Sequence, residues 1–338
     1  AVGNRSLYSI SGSSGTQGEA NTAIGYYSGY STTTGNENVF VGKQTGFSNT
    51  TGTYNNFIGV AAGNSNTTAN QNTYIGWYAG FYQQVGGNNV AIGHQTLYGT
   101  SGKANSAASN VAIGYQAAMH SDVGQGLVAV GKGALRNVSD SGSYSVAIGF
   151  DSAYYASGSY NTFVGADAGK GGTTSAPFSS GEKNTAVGYQ ALDAFTTGYE
   201  NVAIGGGAGG ALTTGYTSTF VGYAAGQSVT TAGNNNYFGY AAGNGTTGGG
   251  NVGIGNHVMK NGAGAAADNT AVGGSSLYAI TTGTKNTTLG QSTGETLTTT
   301  SNTVLIGYQA GYAINSTDAN GTVAVGYEAG KAITSGAG

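Results

Sequence analysis

Few residues in this chain could move a proton or hold a metal. Among 338 residues there are three histidines, thirteen carboxylates and no cysteine. Imidazoles can act as general bases or metal ligands. Paired carboxylates about 5–10 Å apart can hydrolyse glycosides. Asp193 and Glu200 are the candidate pair, yet both fall in a polar stretch that reads as a solvated turn. His94, His120 and His257 are far apart in the chain. The absence of cysteine removes a thiol nucleophile, a zinc finger and a disulfide framework together. A calcium-binding β-helix would place Asp at a fixed position in each repeat, and these acids have no period. Gly42-Lys43-Gln44-Thr45-Gly46 and Gly205-Gly206-Gly207-Ala208-Gly209 lack the spacing of phosphate or dinucleotide loops. The sequence thus predicts no enzyme, no cofactor and no metal.

What would position any of these groups is a repeat that fills the chain. The motif is Asn-(Thr/Val)-(Ala/aromatic)-(Ile/Val)-Gly, as in Asn21-Thr22-Ala23-Ile24-Gly25. Its glycine recurs in 19 copies from Gly3 to Gly326, most often 17 residues apart, with a longest gap of 23 between Gly165 and Gly188. The polar insert at 171–180 within that gap is expected to bulge out as a loop. Three residues after the glycine the side chain reads as small (Ser28, Thr45, Ala62, Ala79, Thr96, Ala117), which indicates close packing. Next comes Gly (Gly29, Gly46, Gly63, Gly80) or Leu (Leu97, Leu135, Leu192, Leu277), and then a turn such as Thr33-Thr34-Gly35.

Seventeen residues accommodate two strands of about five with a turn after each, one coil of a β-solenoid. The fold class is therefore all-β: a parallel β-solenoid of about 19 coils, one repeat domain over 1–338. Stacking at about 4.8 Å per coil sets like residues on like. Ile24, Val41, Ile58, Ile75, Ile92 and Ile113 are expected to form a dry aliphatic column. Asn21, Asn38, Asn55, Asn72 and Asn89 would form a ladder of amides hydrogen-bonded along the axis, or else supply left-handed turn geometry. Alternation puts Phe40, Phe57, Tyr74, Phe163, Phe220 and Tyr237 on the opposite face. More aromatics follow the glycine at Tyr26, Trp77, Tyr115, Tyr189, Tyr223 and Tyr308. Such a stripe on a lone coil stack would be an exposed apolar surface, so the first aromatic set is assigned to an intersubunit seam.

Composition agrees with order of this kind. The chain has 65 Gly, 1 Pro (Pro177), 24 Tyr and 7% charged residues, with a net charge of −3. One proline excludes collagen. So little charge argues against disorder, and the acidic balance gives no footprint for nucleic acid. No apolar run is long enough to span a membrane. Sequons at Asn49-Thr50-Thr51, Asn66-Thr67-Thr68 and Asn137-Val138-Ser139 permit glycosylation, although an Asn- and Thr-rich chain produces them anyway.

The unit Asn184-Thr185-Ala186-Val187-Gly188-Tyr189-Gln190-Ala191-Leu192, followed by Thr196-Thr197-Gly198, resembles the head repeats of YadA-like trimeric autotransporter adhesins. It is also similar to 17-residue repeats of phage tail fibres. The resemblance covers nearly the whole chain. It implies a left-handed parallel β-roll, assembled as a parallel homotrimer, with an extracellular role in attachment at a cell surface or on a virion. The repeat is longer than the coils of the adhesin heads, which favours the phage-like form or a related filament. Without a barrel, stalk or fibre-tip domain, the sequence is expected to be a segment of a longer fibrous protein.

The leading expectation is a non-enzymatic fibre, a trimeric shaft or head that binds host glycan or matrix through many weak contacts. An alternative is an extracellular filament subunit stacking head to tail, since Ala1-Val2-Gly3 begins inside a motif and Ser335-Gly336-Ala337-Gly338 carries no cap. An ice-binding solenoid ranks lower, because the Thr pairs adjoin Gly in turns.

Overall fold

The computed structural model describes residues 1–11, 18–138, 142–175 and 178–334. Ser139 of the third sequon, Pro177 and the uncapped stretch 335–338 lie outside the described residues. The chain is all-β, a parallel β-solenoid. Eighteen strands of three residues run from β1 (Thr22–Ile24) to β18 (Val323–Val325), and the one helical turn among the described residues is a 3-10 turn at Thr317–Ala319. Every strand is the centre of one motif and stops at its glycine. The nineteenth copy contributes only an isolated bridge, Val2 to Ile24.

The repeat divides into two compact units. The first comprises Ala1–Asp167 and Thr174–Ser180; the second comprises Ala168–Thr173 and Gly181–Gly338. The division falls at the longest gap between motif glycines. In the first unit β1 to β9 (Thr162–Val164) pair in sequence, parallel and in register. In the second, β10 (Thr185–Val187) to β18 do the same. The insert at 171–180 is not wholly an outward bulge, because Ser179 bridges Ala156 of the preceding coil.

Each coil holds one short strand, not the two expected. The second segment remains bonded coil to coil, as in Gly29 N–H to Thr45 O (2.9 Å) and Gly46 N–H to Ala62 O (3.0 Å). Its backbone is not extended, however. Left-handed residues recur two and four places after the motif glycine, for example Gln44 (φ 55°) and Gly46 (φ 59°). The motif glycine itself takes φ between 127° and 138°, a region open essentially to Gly alone.

A three-residue strand has one side chain facing in and two facing out. The inward one is the middle residue, which reverses the sequence assignment. Phe40, Phe57, Tyr74, Phe163, Phe220 and Tyr237 are fully buried inside their own coils. They are core residues and cannot form an intersubunit seam. Phe57 stacks on Tyr74 with centroids 4.9 Å apart and planes 6° from parallel. Ile24, Val41, Ile58, Ile75, Ile92 and Ile113 still form a column, but it lies on the outer face and is not dry. Ile24 is 45% exposed and Ile92 36%.

The core fills by compensation within each coil. Where the inward residue is aromatic, the position four after the glycine is Gly: a Cβ on Gly63 would stand 2.5 Å from the Phe57 ring. In four coils whose inward residue is Ala (Ala91, Ala129, Ala186, Ala271), that position is buried Leu97, Leu135, Leu192 or Leu277, each held at φ near 50°. In other Ala coils it is Gly or Ala, and neighbouring coils fill the space, as Leu7 and Phe40 do around Gly29 and Leu192 and Phe220 around Gly209. The position three after the glycine is small and lies against the backbone of the next coil, where Ser28 Oγ donates to Phe40 O (2.9 Å) and Thr45 Oγ1 to Gly59 O (2.6 Å). The exception is Val258, buried beside the inward Gly253, where a Cβ would stand 3.1 Å from Val258.

A direct test follows from this arrangement. Phe57→Ala should cost about 3–5 kcal/mol through the cavity it leaves, and Gly63→Leu alone should be destabilising by overpacking. The double variant, which copies the Ala91/Leu97 coil, should be more stable than the sum of the two by over about 2 kcal/mol in a denaturation cycle. Additive losses would refute the compensation.

Candidate functional site

The Asn ladder comes first because it fixes where everything else points. Each Asn carbonyl accepts the backbone N–H of the Asn one coil on: Asn38 N to Asn21 Oδ1 (2.9 Å), Asn55 N to Asn38 Oδ1 (2.9 Å), Asn72 N to Asn55 Oδ1 (3.0 Å) and Asn89 N to Asn72 Oδ1 (2.9 Å). Each amide donates to a turn carbonyl of the next coil, usually fourteen residues on, as Asn38 does to Gly52 O (2.8 Å) and Asn55 to Ala69 O (2.8 Å), and eighteen on for Asn89 to Ala107 O (2.8 Å). The left-handed residue is not the Asn but the one before it, such as Glu37 (φ 56°) or Tyr54 (φ 59°). Asn55→Ala would orphan a buried N–H and a buried carbonyl, each worth about 1–3 kcal/mol. Asn55→Ser keeps an acceptor, as Ser218 does for Asn235 N–H (3.1 Å). Thermal melts should therefore rank wild type above Asn55→Ser, and that above Asn55→Ala; equal melting of the two variants would refute the role assigned to the carbonyl.

With the amides inside, the strands present an outer face carrying no charge in any of the eighteen. Val39 and Val41, Thr73 and Ile75, and Val90 and Ile92 point outward from their strands, half-buried or exposed. In the second unit Ile204, Ile254 and Leu289 are likewise exposed. This column leaves a row of part-exposed aliphatic side chains along each unit, the kind of contiguous apolar surface that marks an interaction site. Aromatics just beyond the glycine extend it. Trp77 lies 4.9 Å from His94, and His94 stacks 5.3 Å from Tyr115. Tyr223 and Tyr240 stack at 5.5 Å, and so do Tyr308 and Tyr327. Rings stacked on one another offer edges and hydroxyls outward and keep their faces occupied.

The titratable groups stay dispersed. Among the described residues no three His, Asp or Glu side chains form a metal-capable group. Glu200 turns to Lys183 on the neighbouring coil (3.2 Å), an exposed pair of little energetic weight. His94 sits in the aromatic stack, and burial, followed by the nearby Arg136, lowers the His120 pKa. Burial also pushes the Tyr237 hydroxyl up to about 12 and raises Tyr74 in the same direction. No helix among the described residues is long and apolar enough to cross a membrane.

Sequence reasoning passed over one group. Thr32 Oγ1, Asn66 Oδ1, Gln83 Oε1, Asn105 Oδ1, Ser121 Oγ and Asp122 Oδ1 are buried in the first unit without a hydrogen-bond partner. At about 1–3 kcal/mol each, six such atoms would offset a large part of a domain's net stability of about 5–15 kcal/mol. Their signal in the sequence was the polar residue seven places after successive glycines: Thr32, Asn49, Asn66 and Gln83.

No protein-family model matches the chain, and no curated protein does either.

Proposed function

We propose that the chain is a non-enzymatic structural and adhesive protein of the extracellular space, a fibrous shaft or head in which three parallel copies join along their outer sheet faces. The observation that carries this reading is the uncharged Ile/Val column repeated on every coil. A second copy has the same spacing per coil, so aliphatic rows meet aliphatic rows along the whole contact. A partner without that period would match only a few rows. A continuous apolar face of this kind is what an assembling protein buries. The seam therefore lies at Ile24, Ile58, Ile92 and their equivalents, while stacked Tyr and Trp edges beside it and Thr-rich turns remain outside.

Attachment then rests on repetition. Hydroxyl and amide groups recurring on every coil give many weak contacts to a surface glycan or matrix polymer, multiplied by avidity. A bacterial surface adhesin and a phage tail fibre both fit this chemistry. Sedimentation equilibrium tests the assembly: a mass of three chains at micromolar concentration is expected. A monodisperse monomer would overturn the proposal.

A further inference from the structure

We infer that the interior of the first unit holds bound waters at the unpartnered oxygens between Thr32 and Asp122. Thr32, Asn49, Asn66, Gln83 and Ser121 occupy one turn position, seven after their motif glycines, and each donates its backbone N–H to the residue three before it. All five are fully buried. In the second unit the same position carries Phe195, Leu212, Val229, Ile280, Leu297 and Ile314, an apolar column. Thr246 and Gly262 interrupt that column, and the Thr246 hydroxyl is bonded to Tyr237 and to Gly243 O. Val138 ends the polar run in the first unit.

The orientation of the amides is fixed by their donors. Asn66 Nδ2 donates to Asn49 Oδ1 (2.7 Å) and Ala69 O (3.3 Å). Gln83 Nε2 donates to Leu97 O (3.3 Å) and to Ser121 O (3.0 Å). Asn105 Nδ2 donates to Tyr82 O and Thr100 O, both at 2.9 Å. Flipping any of them would set carbonyl against carbonyl. The oxygens left over, with Asp122 Oδ1 and the Thr32 and Ser121 hydroxyls, are therefore acceptors or hydroxyls in need of a donor. The Gln83 amide reaches a carbonyl 38 residues away, two coils on. The intervening coil, which carries extra residues before Asn105, puts nothing between the Gln83 amide and that carbonyl.

Water meets this demand, since one molecule donates twice and accepts from a hydroxyl. A calcium ion would want several charged oxygens. Here one carboxylate is present, and Lys103 Nζ already holds its Oδ2 at 3.0 Å.

A crystal structure of the full chain tests the assignment. Solvent peaks are expected about 2.7–3.2 Å from Asn66 Oδ1, Gln83 Oε1 and Asn105 Oδ1. A dry column with these oxygens paired to protein would overturn it, as would a peak at about 2.3–2.6 Å that appears with calcium chloride. In solution, oxygen-17 relaxation dispersion should count at least two fewer long-lived waters in the Asn66→Leu/Gln83→Leu variant than in wild type, by roughly one water per replaced amide. Equal counts would overturn the inference. Should that variant fail to fold, the wild-type melt decides. A melting temperature unmoved by calcium chloride or EDTA is expected, and a rise of several degrees with calcium would replace water by the ion.

Discussion

Gly59→Ala should be among the most damaging single-methyl changes available in this chain. Gly59 sits at φ +127°, and a Cβ there would stand 2.5 Å from Gly76 O of the next coil. Two costs add. The conformation is worth about 1–3 kcal/mol of strain for any residue with a Cβ. The clash is with backbone, so the coil cannot relax by turning a rotamer; it must separate from its neighbour and weaken the bond from Gly76 N–H to Ile58 O (2.8 Å). A total loss of about 4 kcal/mol or more is expected, a value reserved for breaks in essential structure. Gly102→Ala is the control: φ is 79° but nothing lies within 4 Å of the added methyl, so about 1–2 kcal/mol is expected on strain alone. Urea unfolding of both variants decides the matter, and equal losses would show that close stacking of coils is not what the motif glycine serves.

The second large effect concerns assembly more than folding. Ile58→Lys with Ile92→Lys puts two ammonium groups on the outer face of β3 (Asn56–Ile58) and β5 (Val90–Ile92), where the native side chains are 40% and 36% exposed. In a lone chain both ammoniums reach water, and the loss should stay near 0.5–1 kcal/mol per site from cross-strand packing. In an assembly seamed at this face they would be buried beside their own copies, unpaired. Each such burial costs several kcal/mol, so the dissociation constant should rise by about 100-fold or more. Thr51→Lys, in an exposed turn, should leave assembly unchanged. Sedimentation of the three proteins at equal concentration separates the outcomes. Undiminished association of the double variant would move the seam to another face.

Much of the architecture was legible because a solenoid repeats its reasons. The recurrence of Asn, of an apolar pair and of Gly gave the coil, its parallel stacking and the Asn ladder, since every coil faces a copy of itself. The face assignment failed for a specific reason. The position before the glycine is Ile or Val almost throughout and looked like core; the position two before it ranges from Ala23 to Phe40 to Tyr74, and alternation put it on the opposite face. Inside the coil that variation is the mark of the core: a larger ring there is balanced by Gly four places after the glycine, and an Ala either by Leu in the same coil or by a large side chain of a neighbouring one. Uniformity at the outer position reflects a surface that must match its own copies. The second strand was misjudged because left-handed residues such as Gln44 and Ala61 carry no sequence signal that distinguishes them from extended ones.

The sequence by itself determined the period, the parallel β-solenoid, the absence of charge along its strands and the backbone role of the glycines. These are local and repeated, so each is stated many times along the chain. Only the tertiary structure decided which face of a three-residue strand turns inward, that the two units differ in the polarity of one buried column, and that six oxygens in the first lack partners. Those facts depend on how side-chain volumes and amide donors meet within and across coils, and residues up to 38 apart in sequence settle them together.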